Sequence, residues 1–399
     1  MMKFLKYILP VFAVLLLSCE KAGQDEGGGN KYPQSTIPAP EEFIILSWSD
    51  IIDANAKWKL ELLKEAGFNA YLGWFDSFAE VDALLTAADE QDMHIITSCT
   101  ELDADPKNVI PAMTAHPSFY GFHIEDEPEV SEFEWLANKI EVIRKYDKDH
   151  PCYVNVYPNW AWGGEDAYLP KLRSFLKTVP VSFLSFDNYP IKRIAGSTQV
   201  RPDWYHNLED IRTAAREKKM NFWAFALALS HSTNEATYPV PTIGELRLQQ
   251  FSNLVYGAVA FQYFTTWGII QNHGTTPVYK DVALVNAELK QLEKIFLGAE
   301  IMNVWHTGAV IPTGTQKLNA LPKGIKSVKT SDEGAVVSFF YNNGKKYIAF
   351  VNKSCQGGMD LMIDFESDQA REVAKDGTEG EVADSYRVPA GDIKIFTWE

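Results

Sequence analysis

The chain has 399 residues, a net charge of −16, a hydrophobic content of 46% and a charged content of 23%. This length accommodates one large domain and a small one, and the composition is that of an ordinary globular protein. The acidic excess argues against nucleic acid and against an anionic membrane surface as partners. The eight histidines and four cysteines show no metal-ligand spacing, so we expect no metal and no other cofactor.

The first 19 residues are predicted to be a lipoprotein signal peptide. Lys3 and Lys6 precede an apolar run from Ile8 to Leu17, which is too short to cross a membrane as a stable helix. Ser18 and Cys19 follow this run directly, in an arrangement that resembles a bacterial lipobox. We therefore expect lipidation of Cys19, with an ordinary cleaved signal and an incidental cysteine as the alternative.

Residues 20–40 are expected to form a flexible tether, since they contain three consecutive glycines and three prolines. The acidic residues soon after Cys19 resemble the surface-export signal of Bacteroidetes lipoproteins. We expect an exported protein held at the outer membrane, on its surface or its periplasmic face, by a lipid anchor alone.

From Glu42 onward, short apolar segments alternate with segments of helical periodicity. The predicted strands are Phe43–Ser47, Asn69–Gly73, His94–Ser98, Tyr120–Ile124, Tyr153–Val156, Phe183–Phe186, Phe222–Ala226 and Ala260–Thr265. Apolar strands that alternate with helices indicate a parallel sheet, and eight such units predict a (β/α)8 barrel over residues 41–299. An open doubly wound sheet is the alternative, but no Gly-x-Gly-x-x-Gly motif follows the first strand.

The lengths of the connections predict which end of the barrel carries the site. Connections from helix to strand are short, whereas those from strand to helix are long: Tyr157–Asp166, Asn188–Pro202, Ala228–Thr242 and Trp267–Asp281. Long loops at the carboxyl ends of the strands surround the active sites of such barrels.

After Gly298 the apolar pattern changes to a period of two, and Asn343-Gly344 is a hairpin signal. Residues 300–399 are therefore predicted to form a small antiparallel, sandwich-like β-domain. We expect this domain to be a structural cap on the barrel, with carbohydrate binding as the alternative.

The fourth predicted strand ends in three consecutive acids, Glu125, Asp126 and Glu127, followed by Pro128. A helix follows, and Ser131 with Glu134 matches a capping box, so the acids are not needed as caps. Crowding of carboxylates raises the pKa of a carboxyl group, which suits a general acid. A solvated acidic turn is the alternative interpretation.

Aromatic, amide and acidic residues follow the other strands. The candidates for substrate binding are Trp48, Trp74, Glu101, Asn155, Tyr157, Trp160, Tyr189, His231 and Trp267. Aromatic rings stack on the C–H faces of sugars while polar groups fix the hydroxyls, so the predicted partner is an oligo- or polysaccharide. Any one of these tryptophans, taken alone, is more often a packing residue.

The strand-four motif Asp126-Glu127-Pro128 resembles that of the clan A (β/α)8 glycoside hydrolases, which include the family 42-type β-galactosidases. Those enzymes end strand four in Asn-Glu, often followed by Pro, and residues 241–267 look like the last two barrel units of bacterial hydrolases with Asp-Glu-Pro. The resemblance covers about residues 42–300. It implies that Glu127 is the acid/base and that Asp126 contacts the 2-hydroxyl of the sugar.

The chain departs from this family at strand seven. Clan A enzymes carry a nucleophilic Glu there, but residues 222–231 contain no acid, and the next is Glu235. Hydrolysis by two carboxylates needs a partner for Glu127; Asp187, at the end of strand six, is preferred, followed by Glu101 and Glu235. The predicted function is glycoside hydrolysis, and the alternative is a surface lipoprotein that binds glycans without cleaving them.

Overall fold

The computed structural model of the protein describes residues 32–49, 57–232 and 237–399. The predicted signal peptide, Cys19, most of the predicted tether and Glu235 lie outside the described residues. Within the described ranges, every helix is too short or too polar to cross a membrane.

Eight parallel strands form a closed barrel. They are β1 (Ile44–Trp48), β2 (Ala70–Phe75), β3 (His94–Cys99), β4 (Phe119–Asp126), β5 (Cys152–Val156), β6 (Phe183–Phe186), β9 (Asn221–Leu227) and β12 (Ala260–Phe264). They follow one another around the barrel in this order, and β12 pairs with β1 to close it. The predicted (β/α)8 barrel is confirmed, with each strand within two residues of its predicted bounds.

Helices surround the barrel, and several short strands lie in the loops at its carboxyl end. The helices are α1 (Lys57–Glu65), α2 (Phe78–Asp89), α3 (Glu101–Ala104), α4 (Pro106–Met113), α5 (Phe133–Arg144), α6 (Glu165–Thr178), α7 (Trp204–Glu217), α8 (Ile243–Tyr256), α9 (Thr266–Ile269) and α10 (Tyr279–Phe296). The loop strands are β7 (Ile191–Ile194), β8 (Ser197–Val200), β10 (His231–Ser232), β11 (Thr237–Tyr238), β13 (Ile270–Gln271) and β14 (Gly274–Thr275).

Alternation of side chains along the strands separates the barrel interior from the layer under the helices. On β1, Ile44, Leu46 and Trp48 belong to the interior cluster, whereas Ile45 packs in the outer layer. Within the interior, the rings of Phe183 and Trp223 stack with centroids 3.9 Å apart. The inward row of each strand therefore leads directly to the mouth of the barrel.

The predicted capping box after β4 is wrong. The pair is Glu129 and Glu132, which bracket a 3-10 turn at Val130–Glu132, and the Glu129 N–H donates to Glu132 Oε2 at 2.7 Å. The helix α5 then begins at Phe133. Glu129 takes the N-cap position that was predicted for Ser131, so the first turn starts two residues earlier than predicted. Asp126 and Glu127 are still not caps.

The last hundred residues form two antiparallel sheets. The larger contains β15 (Glu300–His306), β17 (Ala335–Asn342), β18 (Lys345–Asn352), β20 (Arg371–Val373), β21 (Glu379–Glu381) and β23 (Ile393–Trp398), and the smaller contains β16 (Ile325–Thr330), β19 (Met359–Phe365) and β22 (Tyr386–Val388). The predicted hairpin is present: Asn343 and Gly344 have φ values of 48° and 74° between β17 and β18. Such positive angles are what a two-residue turn requires.

The helix α8 lies between the barrel and the larger sheet, contacting β9, β17 and β18. It is almost entirely buried because protein covers both of its faces. Arg247 on α8 makes a bidentate contact with Glu288 at 2.6 and 2.9 Å, and Lys375 joins Glu288 to Asp392, both at 2.7 Å. This ionic cluster ties α8, α10 and the C-terminal sheets together.

Candidate active site

A cavity of about 300 Å³ opens at the carboxyl ends of the barrel strands. Its lining residues are Trp48, Asp126, Glu127, Asn155, Pro158, Trp160, Asp187, Asn188, Tyr189, Phe225, His231, Tyr238 and Phe264. The acids and amides come from β4, β5 and the residues after β6, whereas β1, β9 and β12 contribute aromatic rings. We call these the polar wall and the aromatic wall.

Glu127 lies directly after β4 at the centre of the polar wall. Its φ angle is +52°, a region that non-glycine residues rarely adopt. The Glu127 N–H donates to the carbonyl oxygen of Asn155 at 2.8 Å, so pairing with β5 holds the unusual backbone in place. Strained residues of this kind concentrate at functional sites.

Glu127 and Asp187 are hydrogen-bonded to each other through their carboxyl groups. Burial raises the pKa of Glu127 to about 7, and the charge of Asp126 adds to the rise, although the hydrogen bond from Asp187 opposes it. Burial also raises the pKa of Asp187 well above its ordinary value, helped by the charges of Glu127 and Asp126. The deeper Asp187 therefore holds the shared proton and donates it toward Glu127.

Asn155 connects the acids of the polar wall. Its side-chain nitrogen donates to Asp187 Oδ1 at 3.0 Å and to Asp126 Oδ1 at 3.2 Å. Asp126 is exposed at the rim, yet the protein around its carboxyl displaces enough water to raise its pKa to about 6, and the charge of Glu125 contributes. The hydrogen bond from Asn155 opposes this rise.

A directional chain of hydrogen bonds fixes the orientation of the Asn155 amide. Tyr153 Oη donates to Gln262 Oε1 at 2.6 Å, and Gln262 Nε2 donates to Ser185 Oγ at 2.9 Å. Ser185 Oγ then donates to Asn155 Oδ1 at 2.9 Å, which leaves the amide nitrogen facing the two carboxyls. All four side chains are buried, so reversing the amide would leave polar atoms unpaired.

The aromatic wall surrounds the other side of the cavity. Trp48 and Phe225 are buried, with ring centroids 5.2 Å apart. His231 stacks on Tyr238 with centroids 4.4 Å apart, and burial lowers the pKa of its imidazole, which favours the neutral ring. Its Nδ1 is buried and has no hydrogen-bond partner among the described residues. The His231 ring is part of the cavity lining.

Trp160 extends the cavity toward solvent. Its side chain is 49% exposed, and the guanidinium of Arg201 lies 4.8 Å from its ring centroid. Asp203 fixes Arg201 with two hydrogen bonds of 3.0 and 3.1 Å. The Asp203 carboxylate therefore binds Arg201, and its side chain does not cap the start of α7.

Four of the predicted substrate-binding residues lie outside the cavity lining. Glu101 accepts a hydrogen bond from the Phe78 N–H at the start of α2, at 3.0 Å. Trp74 stacks on His123 with centroids 4.9 Å apart, Tyr157 packs toward Trp162, and Trp267 contacts Phe264. Trp74 and Trp267 remain exposed.

Three aromatic residues of the cavity were missed by the sequence analysis. Phe264 ends β12, so the rule that selected the other strand-end residues applies to it as well. Phe225 shares the inward row of β9 with Trp223, and alternation would have found it. Tyr238 lies in a short loop strand and carried no sequence signal.

The described residues contain no group of three or more His, Cys, Asp or Glu side chains that could hold a metal ion. Cys99, Cys152 and Cys355 are buried free thiols, away from the cavity. What the site offers is proton transfer by carboxyl groups beside rings that can stack on a flat ligand.

The fold and the site together define a (β/α)8 barrel with an acidic cavity at its carboxyl end. No protein-family model matches the chain, and neither does any curated protein. Among solved structures, a β-galactosidase from Bacillus circulans sp. alkalophilus matches with a TM-score of 0.56 and 8% identity, over 92% of this chain and 100% of that chain. A candidate α-galactosidase from Bacteroides fragilis NCTC 9343 matches with a TM-score of 0.52 and 8% identity, over 90% of this chain and 79% of that chain. At such identities these similarities establish the fold.

Proposed function

We propose that this protein is a glycoside hydrolase in which Glu127 acts as the general acid and then as the general base. The supporting observation is the position of Glu127, whose carboxyl faces a cavity with an aromatic wall and has a pKa raised to about 7. Such a group keeps a proton near neutral pH and can donate it to a glycosidic oxygen. The two solved structures named above are described as galactosidases, which agrees with this assignment.

Asp187 is the proposed second carboxylate, and it acts through Glu127. A direct hydrogen bond brings the two carboxyls closer together than the separations of about 5–5.5 Å in retaining enzymes and about 6.5–9.5 Å in inverting enzymes. In this arrangement no sugar carbon or water fits between them. We therefore assign Asp187 the role of proton-sharing partner that holds and tunes Glu127.

The test is hydrolysis of a broad panel of aryl glycosides and natural glycans by wild type and Glu127→Gln. The variant should lose about 10²–10⁴-fold in kcat, while binding of a responsive glycan, measured by calorimetry, stays within a few-fold of wild type. Because the acid must be protonated, kcat/KM of wild type should fall as the pH rises through about 7.

The matched control is Glu125→Gln, which changes the same residue type two positions away. Glu125 does not line the cavity, so its variant should keep most of the activity. Equal turnover by Glu127→Gln and wild type would remove Glu127 from the mechanism.

The second candidate function is glycan binding without catalysis. The absence of an acid among the described residues between β9 and α8, together with the hydrogen-bonded carboxyl pair, favours it. Binding to members of the glycan panel with no cleavage of any of them would select this alternative.

We also propose that the chain is exported and anchored to the cell envelope by a lipid on Cys19. Its support is the sequence alone: a short apolar run that ends in Ser18-Cys19. In fractionated cells, Cys19→Ala should move the protein from the membrane fraction to the soluble fraction, whereas Cys99→Ala, which changes a buried thiol, should not. Retention of Cys19→Ala in the membrane fraction would exclude this anchor.

A further inference from the structure

The described carboxylates of the cavity all belong to one wall. Asp126 and Glu127 follow one another at the end of β4, Asp187 follows β6, and Asn155 bonds two of the three. The aromatic wall on the other side includes Trp48, Phe225 and Phe264, from the neighbouring strands β1, β9 and β12. Among the described lining residues, none across the cavity from Glu127 could supply a carboxylate nucleophile or a carboxylate base.

A glycosidic carbon that loses its leaving group must nevertheless be stabilised from the side opposite that group. Where no described residue places a carboxylate there, a neighbouring group of the substrate can serve. The carbonyl oxygen of a 2-acetamido group reaches the anomeric carbon through a five-membered ring, provided that the leaving group is trans to it. This requirement selects β-linked sugars of the gluco or galacto series.

Building on the proposed function, we infer that the substrate is a β-linked 2-acetamido-2-deoxy sugar whose own acetamido group is the nucleophile, with Asp126 accepting its N–H. Asn155 donates to Oδ1 of Asp126. The second carboxyl oxygen of Asp126 makes no side-chain hydrogen bond within the described part of the chain. Asp126 is exposed at the rim and immediately precedes Glu127. It is therefore next to the acid and open to the sugar.

The protonation states fit this division of roles. The pKa of Asp126 is raised to about 6 and that of Glu127 to about 7, so near neutral pH Asp126 is mainly ionised while Glu127 keeps a large share of its proton. The buried rings of Trp48 and Phe225 offer an apolar surface for the acetamido methyl group.

The reaction balances without any co-reactant other than water. In the first step Glu127 gives its proton to the glycosidic oxygen, the C1–O bond breaks, and the acetamido oxygen forms a bond to C1. The resulting oxazolinium cation keeps its N–H on the Asp126 carboxylate. In the second step water attacks C1, Glu127 takes the proton of the water, and the bond to the acetamido oxygen breaks. The configuration at C1 is retained, and nothing is oxidised or reduced.

The test compares matched aryl β-glycosides with the full chain. The 4-nitrophenyl β-glycosides of N-acetylglucosamine and N-acetylgalactosamine are set against those of glucose and galactose. We expect the acetamido substrates to have kcat/KM at least about 100-fold higher, with retention at C1 by NMR. Fluorination of the acetyl group withdraws electrons from the carbonyl oxygen, so kcat should fall at each step from acetyl to trifluoroacetyl.

Asp126→Asn should lower kcat on the acetamido substrates by about 10²-fold and flatten the response to fluorination. Comparable cleavage of the 2-hydroxy glycosides, rates indifferent to fluorination, or a loss in Glu235→Gln equal to that in Glu127→Gln would overturn this inference and leave the hydrolase intact. Failure to cleave any glycoside of the broad panel would overturn the hydrolase and this inference together.

Discussion

The two walls of the cavity are built in opposite ways. The polar wall gathers three carboxyls and an amide that depend on one another through hydrogen bonds, behind a backbone held at a positive φ. The aromatic wall consists of rings that pack on the barrel interior and need few directional partners. The polar wall is therefore sensitive to the loss of a single atom, whereas the aromatic wall is sensitive to a change of shape.

The polar wall also costs stability at neutral pH. The pKa values of Glu127 and Asp187 are raised above those of the unfolded chain, so the folded state binds more protons. The stability that protonated Glu127 and Asp187 contribute is fully present below about pH 4, where both groups are also protonated in the unfolded chain. It is lost as the pH rises through the folded values, about 7 for Glu127. A carboxyl cluster kept under this cost is typical of a functional site.

After the loss expected from Glu127→Gln, the largest effect on the polar wall is expected from Asp187→Ala. This change removes the donor that holds Glu127, and kcat/KM should fall by about 10²–10³-fold. Asn at this position can still accept from Asn155 and donate to Glu127, as protonated Asp does. Asp187→Asn should therefore keep kcat/KM within about tenfold of wild type.

The pair of variants separates two roles for Asp187 when both are assayed on one responsive substrate. If Asp187→Asn is as inactive as Asp187→Ala, the carboxylate charge itself is required, and Asp187 acts as a base or nucleophile. Circular dichroism and thermal unfolding of both variants control for misfolding.

The difference between the walls also explains what the sequence could predict. The eight barrel strands were found because continuous apolar runs and helical stripes are local patterns. Glu127 and Asp187 were selected because strand ends meet at one mouth. The hydrogen bond between them depends on the depth of β6 relative to β4, which no local pattern encodes. Likewise, Glu101 satisfies the strand-end rule but binds the start of α2.

Gln262→Leu, a change in the layer of side chains below the polar wall, is expected to lower kcat by about tenfold. Gln262 accepts a hydrogen bond from Tyr153 and donates one to Ser185, which in turn donates to the Asn155 side-chain oxygen. Gln262 thereby helps to fix the orientation of the Asn155 amide. Without it, Ser185 Oγ keeps only Tyr153 Oη, 2.9 Å away, as the group that orients its hydroxyl. The Asn155 amide is then held less firmly, and kcat should fall by about tenfold. Loss of a buried hydrogen-bonding group also costs about 1–3 kcal/mol in the free energy of unfolding.

Gln250→Leu is the control for the stability cost, because Gln250 is equally buried on α8 and lies outside this chain of hydrogen bonds. Both variants should unfold at lower denaturant concentration than wild type, but only Gln262→Leu should change the kcat of the folded enzyme. If the two variants lose activity equally, the orientation of Asn155 does not control the reaction.

The smallest effect is expected from Trp160→Ala, which alters the shape of the cavity and leaves its proton transfers unchanged. Stacking of an aromatic ring contributes about 0.5–1.5 kcal/mol, which corresponds to a rise in KM of about two- to tenfold, with kcat nearly constant. Trp135 on α5 is the matched control, because it is 47% exposed against 49% for Trp160 and does not line the cavity. Trp135→Ala should leave KM unchanged. A loss in kcat with constant KM for Trp160→Ala would show that this ring acts on the transition state and not only on the shape of the cavity.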